Sequence, residues 1–489
     1  MIEWKDVSFN YPEQKSDGLR HINLSISRGE CVLFCGRSGC GKTTMLRLVN
    51  GLIPSFFSGE GDGAVYLEGQ DCSEIPMYRL AERVGSVFQN PRTQFFNVDT
   101  DSEIAFGMEN RALPPAELVR RVEQTARELN IEALRGKSIF ALSGGEKQKI
   151  AFASVYAMNP DVYLLDEPSS NLDMDSIHAL KEHLKLIKGQ GKTILIAEHR
   201  LYYLMELADK IIYLEQGRIK GIYTPKELAA LPQEQRASMG LRAVDLQRLR
   251  PQKRMECVQA PMLELKNVKL CYRKKTVLEN ICLQAARGEI IAVAGHNGTG
   301  KTTFSRALCG LHKGCEGEFA LEGKALDDKE RRKSSYLVMQ DVGYQLFAES
   351  VEKECVFGIK NPDAALADRT LEALDLASFR EKHPNTLSGG QKQRLAVAVS
   401  MVCGKDILVF DEPTSGLDYD SMIRVATLME QLAERGAIVF VVTHDYELVC
   451  RVCTRIVCFD EGSLSDDLLV TAENEGKIRE LFGLFTVPA

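Results

Sequence analysis

The 489-residue chain is predicted to be α/β, with two like domains in tandem, each built on a mainly parallel sheet. Three observations predict this. A glycine-rich stretch, Gly36-Arg37-Ser38-Gly39-Cys40-Gly41-Lys42-Thr43-Thr44, recurs as Gly295-His296-Asn297-Gly298-Thr299-Gly300-Lys301-Thr302-Thr303. Leu142-Ser143-Gly144-Gly145 and Asp166-Glu167-Pro168 recur 245 residues later as Leu387-Ser388-Gly389-Gly390 and Asp411-Glu412-Pro413. Short unbroken apolar runs are separated by helix-length segments, the pattern of a parallel sheet covered on both faces. A repeat of this kind sets the architecture of the whole chain.

Each repeat opens with strand-like alternation, from Ile2 to Phe9 and again from Leu263 to Leu270. The apolar runs Cys31-Val32-Leu33-Phe34-Cys35 and Ile290-Ile291-Ala292-Val293-Ala294 then lead into the glycine-rich stretches. A helix is predicted from Thr43 to Asn50. Strand, loop and helix in that order make G-x-x-x-x-G-K-[ST] a phosphate-binding loop. Its glycines turn backbone N–H groups onto phosphate oxygens, Lys42 or Lys301 adds a charge, and the Thr43 or Thr302 hydroxyl can hold Mg²⁺. A helix is predicted over residues 116–130. Buried strands are predicted at Val162-Tyr163-Leu164-Leu165 and Thr193-Ile194-Leu195-Ile196-Ala197, matched by Ile407-Leu408-Val409-Phe410 and Ile438-Val439-Phe440-Val441-Val442. The two lysines are 259 residues apart, so the first part of the second repeat is shorter, with the loss on both sides of Gln340. The domains are expected at residues 1–232 and 262–489, joined by a linker, 233–261. Its basic run, Arg248-Leu249-Arg250-Pro251-Gln252-Lys253-Arg254, is read as a solvated connector.

A formal charge of −7 argues against a nucleic-acid partner, which would call for a basic face. Cys31, Cys35, Cys282, Cys309, Cys355, Cys403 and Cys458 sit in apolar runs and are expected to serve as small hydrophobes in a reducing compartment. Cys450-Arg451-Val452-Cys453 is one pair where a zinc site needs four ligands, and is read as two core cysteines near a helix end. The start, Met1-Ile2-Glu3-Trp4-Lys5-Asp6, does not look like a signal peptide. No apolar run approaches the roughly 18 residues of a membrane helix. The chain is therefore expected to be soluble and to reach any membrane through a partner.

Leu142-Ser143-Gly144-Gly145-Glu146-Lys147-Gln148, together with the phosphate loops, resembles the signature of tandem ATP-binding-cassette ATPases, and the resemblance spans both repeats. It implies two P-loop cassettes, each with an antiparallel β part and a helical subdomain, binding ATP and Mg²⁺ at sites shared head to tail. Nucleotide contacts are implied for Tyr11, Gly36, Ser38, Gly39, Gly41, Lys42, Thr43 and Thr44. The second copy implies Tyr272, Gly295, Asn297, Gly298, Gly300, Lys301, Thr302 and Thr303. Ser143, Gly144, Gly145, Ser388, Gly389 and Gly390 are implied to meet the nucleotide held by the other repeat. Asp166 and Asp411, with Thr43, Thr302, Gln89 and Gln340, are implied around Mg²⁺. Glu167 and Glu412 are implied to polarise the attacking water, and His199 and His444 to contact the γ-phosphate. Asp173 and Asp418 match the loop that crosses between cassettes.

Near Gln89 and Gln340 the wording is more particular. Phe88-Gln89-Asn90-Pro91-Arg92-Thr93-Gln94-Phe95-Phe96 and Gln340-Asp341-Val342-Gly343-Tyr344-Gln345-Leu346-Phe347 are similar to the ATPases of energy-coupling factor transporters, which import vitamins and transition-metal ions in prokaryotes. That resemblance implies a place on the cytoplasmic face of the cell membrane. It implies an integral membrane partner with coupling helices and a separate substrate-binding membrane protein. Phe95, Phe96, Leu346 and Phe347 are expected to form the partner groove. Two alternatives stay open, a tandem ATPase of a sugar-type importer and a soluble non-transport tandem ATPase. The first usually carries a degraded site, and the second a longer charged linker and a basic character.

Overall fold

A computed structural model describes residues 1–12, 14–170, 172–252, 260–272 and 275–484, with the backbone alone for 14–17. Asn171, Lys253 and Arg254 lie outside the described residues. The chain divides into two units, Met1–Val244 and Asp245–Ala489.

In the first unit the strands are β1 (Ile2–Tyr11), β2 (Gln14–Ile26), β3 (Cys31–Cys35), β4 (Glu60–Leu67), β5 (Gln70–Asp71), β6 (Val84–Val87), β7 (Val162–Asp166), β8 (Thr193–Ala197), β9 (Lys210–Glu215) and β10 (Arg218–Tyr223). The central sheet runs β10-β9-β3-β8-β7-β6, parallel except for the β9–β10 hairpin. A second, antiparallel sheet runs β2-β1-β4-β5. Why β3 is apolar throughout is visible in the packing. Cys31, Leu33 and Cys35 join the core under the helices, whereas Val32 and Phe34 join the core under β1 and β4, beside Trp4 and Val65. A strand covered on both faces has no polar side to alternate with.

The second unit repeats this with β11 (Pro261–Tyr272), β12 (Lys275–Ala286), β13 (Ile290–Ala294), β14 (Cys315–Leu321), β15 (Lys324–Ala325), β16 (Ser335–Val338), β17 (Ile407–Asp411), β18 (Ile438–Val442), β19 (Arg455–Asp460) and β20 (Ser463–Leu469). Its central order, β20-β19-β13-β18-β17-β16, matches the first unit strand for strand. Helices Thr100–Glu109, Pro115–Glu128 and Gly144–Met158 form the helical part of unit one, and Val351–Cys355, Ala364–Ala373 and Gly389–Val402 that of unit two. The helix predicted over 116–130 ends at Glu128, because Asn130 turns into the left-handed region with φ 53°.

Two expectations are corrected. Cys282 is exposed, since the alternation of β12 puts it on the outward face between Ile281 and Leu283. Leu346 is 5% exposed and belongs to the core, not to an open groove. Cys450 and Cys453 are buried around the end of the helix Tyr446–Val452, as expected for core cysteines. Residues 233–244 fold with the first unit: a helix spans Gln233–Ser238, and Met239, Leu241 and Val244 enter its core. Arg250 pairs with Glu475 at 3.0 Å inside the second unit. Among the described residues no helix is long and apolar enough to cross a membrane.

Candidate functional site

Each unit builds its site at the carboxyl ends of its parallel strands, where ligands bind in open α/β sheets. The loop after β3 is forced close to the chain behind it. A Cβ on Gly36 would lie 2.2 Å from the Leu214 carbonyl oxygen, and one on Gly295 would lie 2.3 Å from that of Phe459. No other residue fits that approach. The loop wraps its own lysine: Lys42 Nζ donates to the carbonyls of Gly36 and Arg37, both at 3.1 Å. Lys301 Nζ does the same to Gly295 at 2.6 Å and His296 at 2.8 Å. Both loops run directly into helices, Lys42–Val49 and Lys301–Leu308.

The next residues of those helices reach the ends of β7 and β17. Thr43 Oγ1 donates to Asp166 Oδ1 at 2.9 Å, and Thr302 Oγ1 to Asp411 Oδ2 at 3.1 Å. Burial, and after it the charge of Glu167, pushes the Asp166 carboxyl up to about 6, and burial also raises that of Asp411. One hydroxyl and one carboxylate, all hard oxygen donors, suit Mg²⁺ that takes its remaining ligands from phosphate and water. No group of three His, Cys, Asp or Glu side chains that could hold a metal by themselves occurs among the described residues.

The raised pKa fixes a sign. A carboxyl that holds its proton more tightly when folded adds stability at low pH and loses it as pH rises from the ordinary 3.8 through about 6. Asp166→Asn is therefore expected to raise the Tm of the chain, in EDTA and without nucleotide, at pH 7.5. The gain should shrink by pH 5. Thermal melts at the two pH values check this, and a gain that does not depend on pH would contradict it.

Glu167 and Glu412 follow the strands in a left-handed conformation, with φ 44° and 51°. Non-glycine residues held there cost of order 1–3 kcal/mol and persist where the surroundings dictate them. Here the ladder dictates them: Glu167 N–H donates to Ala197 O at 2.8 Å and Glu412 N–H to Val442 O at 2.9 Å. The turn brings the first carboxylate to Gln89, whose Nε2 donates to Glu167 Oε2 at 2.6 Å. His199 Nε2 lies 3.4 Å from Glu167 Oε1, and His444 Nε2 lies 3.6 Å from Glu412 Oε1. Gln340 is exposed and makes no side-chain hydrogen bond among the described residues.

The two tyrosines differ. Tyr11 is tied down in its own unit, its hydroxyl 3.3 Å from Thr44 Oγ1 and accepting from Arg47 Nη1 at 3.1 Å. Tyr272 is 61% exposed. Ser143 and Ser388 are the N-caps of Gly144–Met158 and Gly389–Val402, each in a reciprocal capping box, with Glu146 and with Gln391. Neither serine bonds to the phosphate loop of its own unit among the described residues. Asp173 and Asp418 cap the helices Met174–Gly189 and Tyr419–Glu434, accepting from Ser176 N–H at 2.9 Å and Ser421 N–H at 2.8 Å.

Several organising residues were not singled out from the sequence. Glu103 is buried and accepts from the Phe96 and Asn97 N–H groups at 3.0 and 2.8 Å. Glu354 is buried and accepts from those of Phe347 and Ala348 at 2.7 and 2.5 Å. Gln94 and Gln345 fold back to the backbone of Phe88 and Met339. The available signal was register: both acids and both glutamines keep the 251-residue offset of Gln89 and Gln340. These anchors leave Phe96 and Phe347 outside, 75% and 71% exposed, while Phe95 turns inward against the core.

Comparison with known proteins agrees with this geometry. The model of the ABC transporter family matches residues 19–170 and 278–415. A chain from Treponema denticola, named for its part as an ABC transporter ATP-binding protein, is 49% identical over 482 residues, covering 97% of this chain and 98% of its own. One of the same name from Methanosarcina mazei is 32% identical over 523 residues, covering 95% of this chain and 88% of its own. Among solved structures, a model of ribosome-bound archaeal Pelota and ABCE1 is similar with a TM-score of 0.72. It is 20% identical and covers 98% of this chain and 80% of that one, a likeness of fold. With the family model matched once in each unit and relatives aligned over nearly its full length, the chain belongs to the ABC transporter ATP-binding family, whose members bind ATP with Mg²⁺ and hydrolyse it.

Proposed function

We propose that the chain is the energy-coupling ATPase of a membrane importer of the energy-coupling factor type, for a vitamin or a transition-metal ion. Its two units would pair head to tail. Site one would use Tyr11, Lys42, Thr43, Gln89, Asp166, Glu167 and His199 with Ser388 and Gly390. Site two would use Tyr272, Lys301, Thr302, Gln340, Asp411, Glu412 and His444 with Ser143 and Gly145. In each, the lysine holds the β- and γ-phosphates, and the serine donates its hydroxyl proton to the γ-phosphate across the closed pair. The glutamate orients the attacking water and takes its proton, and the histidine holds both in place. Mg²⁺, when bound, neutralises charge on the phosphates beside the threonine and aspartate. Closure on ATP and reopening after hydrolysis would drive the membrane partner on the cytoplasmic face.

The observation that carries the transport reading is the outward phenylalanine beside each site, Phe96 and Phe347. Phe96 stacks on Phe106 with ring centroids 4.9 Å apart, next to a cavity of about 250 Å³ that also takes in Leu52, Met77 and Met158. Phe347 and Phe357 stand at the same offset in the second unit and are 71% and 59% exposed. A buried carboxylate spent on holding an aromatic outward suits an apolar partner helix. The chain purified from solubilised membranes should carry a multi-span protein. Phe96→Glu with Phe347→Glu should cut its recovery by about 10-fold or more without lowering Tm, since buried aromatic anchors dominate interfaces. Ribosomes in place of a membrane protein would favour the soluble tandem alternative.

A further inference from the structure

The switch histidines of the two units are held in different ways. His199 lies between Glu198 and Arg200, where the second unit has Thr443 and Asp445 around His444. Glu198 is 2% exposed, and its carboxylate accepts from four groups. These are the N–H of His199 at 2.7 Å, of Arg200 at 3.1 Å and of Ser169 at 3.2 Å, and the Tyr203 hydroxyl at 3.0 Å. Arg200, 7% exposed, donates from Nη1 to the carbonyls of Ser169 and Leu172, both at 3.3 Å. In the second unit the carboxylate comes from the other side of the histidine. Asp445 accepts from the Thr414 hydroxyl at 2.7 Å and from the Leu448 N–H at 3.2 Å, while its own N–H donates to Thr443 Oγ1 at 3.0 Å. Thr414 is the counterpart of Ser169, and Leu448 that of Tyr203, at the constant 245-residue offset.

Both arrangements therefore tie the histidine loop to the segment that follows the paired acidic residues and leads to Asp173 or Asp418. The carboxylate has changed its place in the chain and still reaches the same segment, through Ser169 in one unit and Thr414 in the other. We infer that Glu198 is a positioning residue for ATP hydrolysis at the first site. It fixes the backbone of His199 against Glu167, and Arg200 extends the clamp to Ser169 and Leu172. A buried carboxylate with four donors can be replaced only by another complete set, because each donor left behind would be buried without a partner. This rests on the proposed role of His199.

The test is steady-state ATPase of the full chain in a Glu412→Gln background, which leaves turnover to the first site. Glu198→Gln keeps the shape, but its NH₂ faces N–H donors. It should lower kcat by about 10–100-fold, the scale of a small misplacement, with KM for ATP within about 2-fold. Glu198→Thr should do likewise. Glu198→Thr with Arg200→Asp and Tyr203→Leu installs the second unit's wording opposite Ser169, and should bring kcat back to within about 3-fold of that of the Glu412→Gln parent. A purely structural role would lower Tm and active fraction together and give no such rescue. An unchanged kcat in Glu198→Gln would overturn the inference, as would a folded triple variant no better than Glu198→Thr. If Glu198→Gln does not fold, the triple variant decides in the same terms. His199→Ala separates the two levels: an unchanged kcat there would overturn the assigned role of His199, and a loss there beside a normal Glu198→Gln would overturn this inference alone.

Discussion

Glu167→Gln and Glu412→Gln are each expected to lower kcat for ATP by about 10²- to 10⁴-fold at the site concerned, the usual worth of a positioned general base. The amide keeps the side-chain length, and the strand bonds of Glu167 and Glu412 to Ala197 and Val442 come from the backbone, so the left-handed turn is undisturbed. KM should stay near the wild-type value if, as proposed, Lys42, Lys301 and the loop N–H groups hold the phosphates, since neither variant touches them. Phosphate release from the full complex measures both. If one variant kept its steady-state rate, that site would be silent or regulatory. The two sites are not identical in detail, because Gln89 bonds to Glu167 whereas Gln340 makes no such bond to Glu412.

The double variant Glu167→Gln, Glu412→Gln is expected to trap ATP without consuming it, and it tests the proposed head-to-tail pairing. In that background, Lys42→Ala with Ser388→Arg should damage one site twice and leave one nucleotide trapped per chain. Lys42→Ala with Ser143→Arg should damage each site once and leave none. Lys42→Ala removes the charge proposed to hold the phosphates. An arginine beside Gly389 or Gly144 blocks closure, and it also removes the helix cap, worth about 1 kcal/mol. Labelled nucleotide retained after gel filtration is the measurement. If each serine served the lysine of its own unit, the two outcomes would exchange.

Most of the fold, and the groups that meet at the strand ends, could be read from the sequence, because their geometry dictates residue type. Gly36 admits no Cβ, Thr43 and Asp166 must meet over a strand end, and β3 is apolar because both its faces are covered. What could not be read was direction outside regular structure. After the short turns Pro91–Thr93 and Val342–Tyr344 the chain has no period of 2 or 3.6, so nothing in the order of Phe95-Phe96 or Leu346-Phe347 says which ring turns inward. Cys282 was misread because a short apolar stretch conceals the alternation of a strand with one open face. Glu198 was hidden for another reason. A carboxylate that folds onto its own loop is specified by tertiary donors, which leave no spacing rule in the chain.

The capping boxes of the signature helices are alike in geometry and unlike in charge. Glu146 closes the first with a carboxylate, and Gln391 closes the second with an amide. A helix start carries about half a positive elementary charge, which draws anions when it is left uncompensated. The start of the first unit's signature helix has its positive end partly cancelled by Glu146, and that of the second has no acid in its first turn. On the composite-site reading, the site completed by Ser388 would close at lower ATP concentration than the one completed by Ser143. Its advantage would fade as ionic strength rises and the Debye length shortens. One chain would then carry a tighter and a looser ATP gate, ordered by a single acid-for-amide exchange.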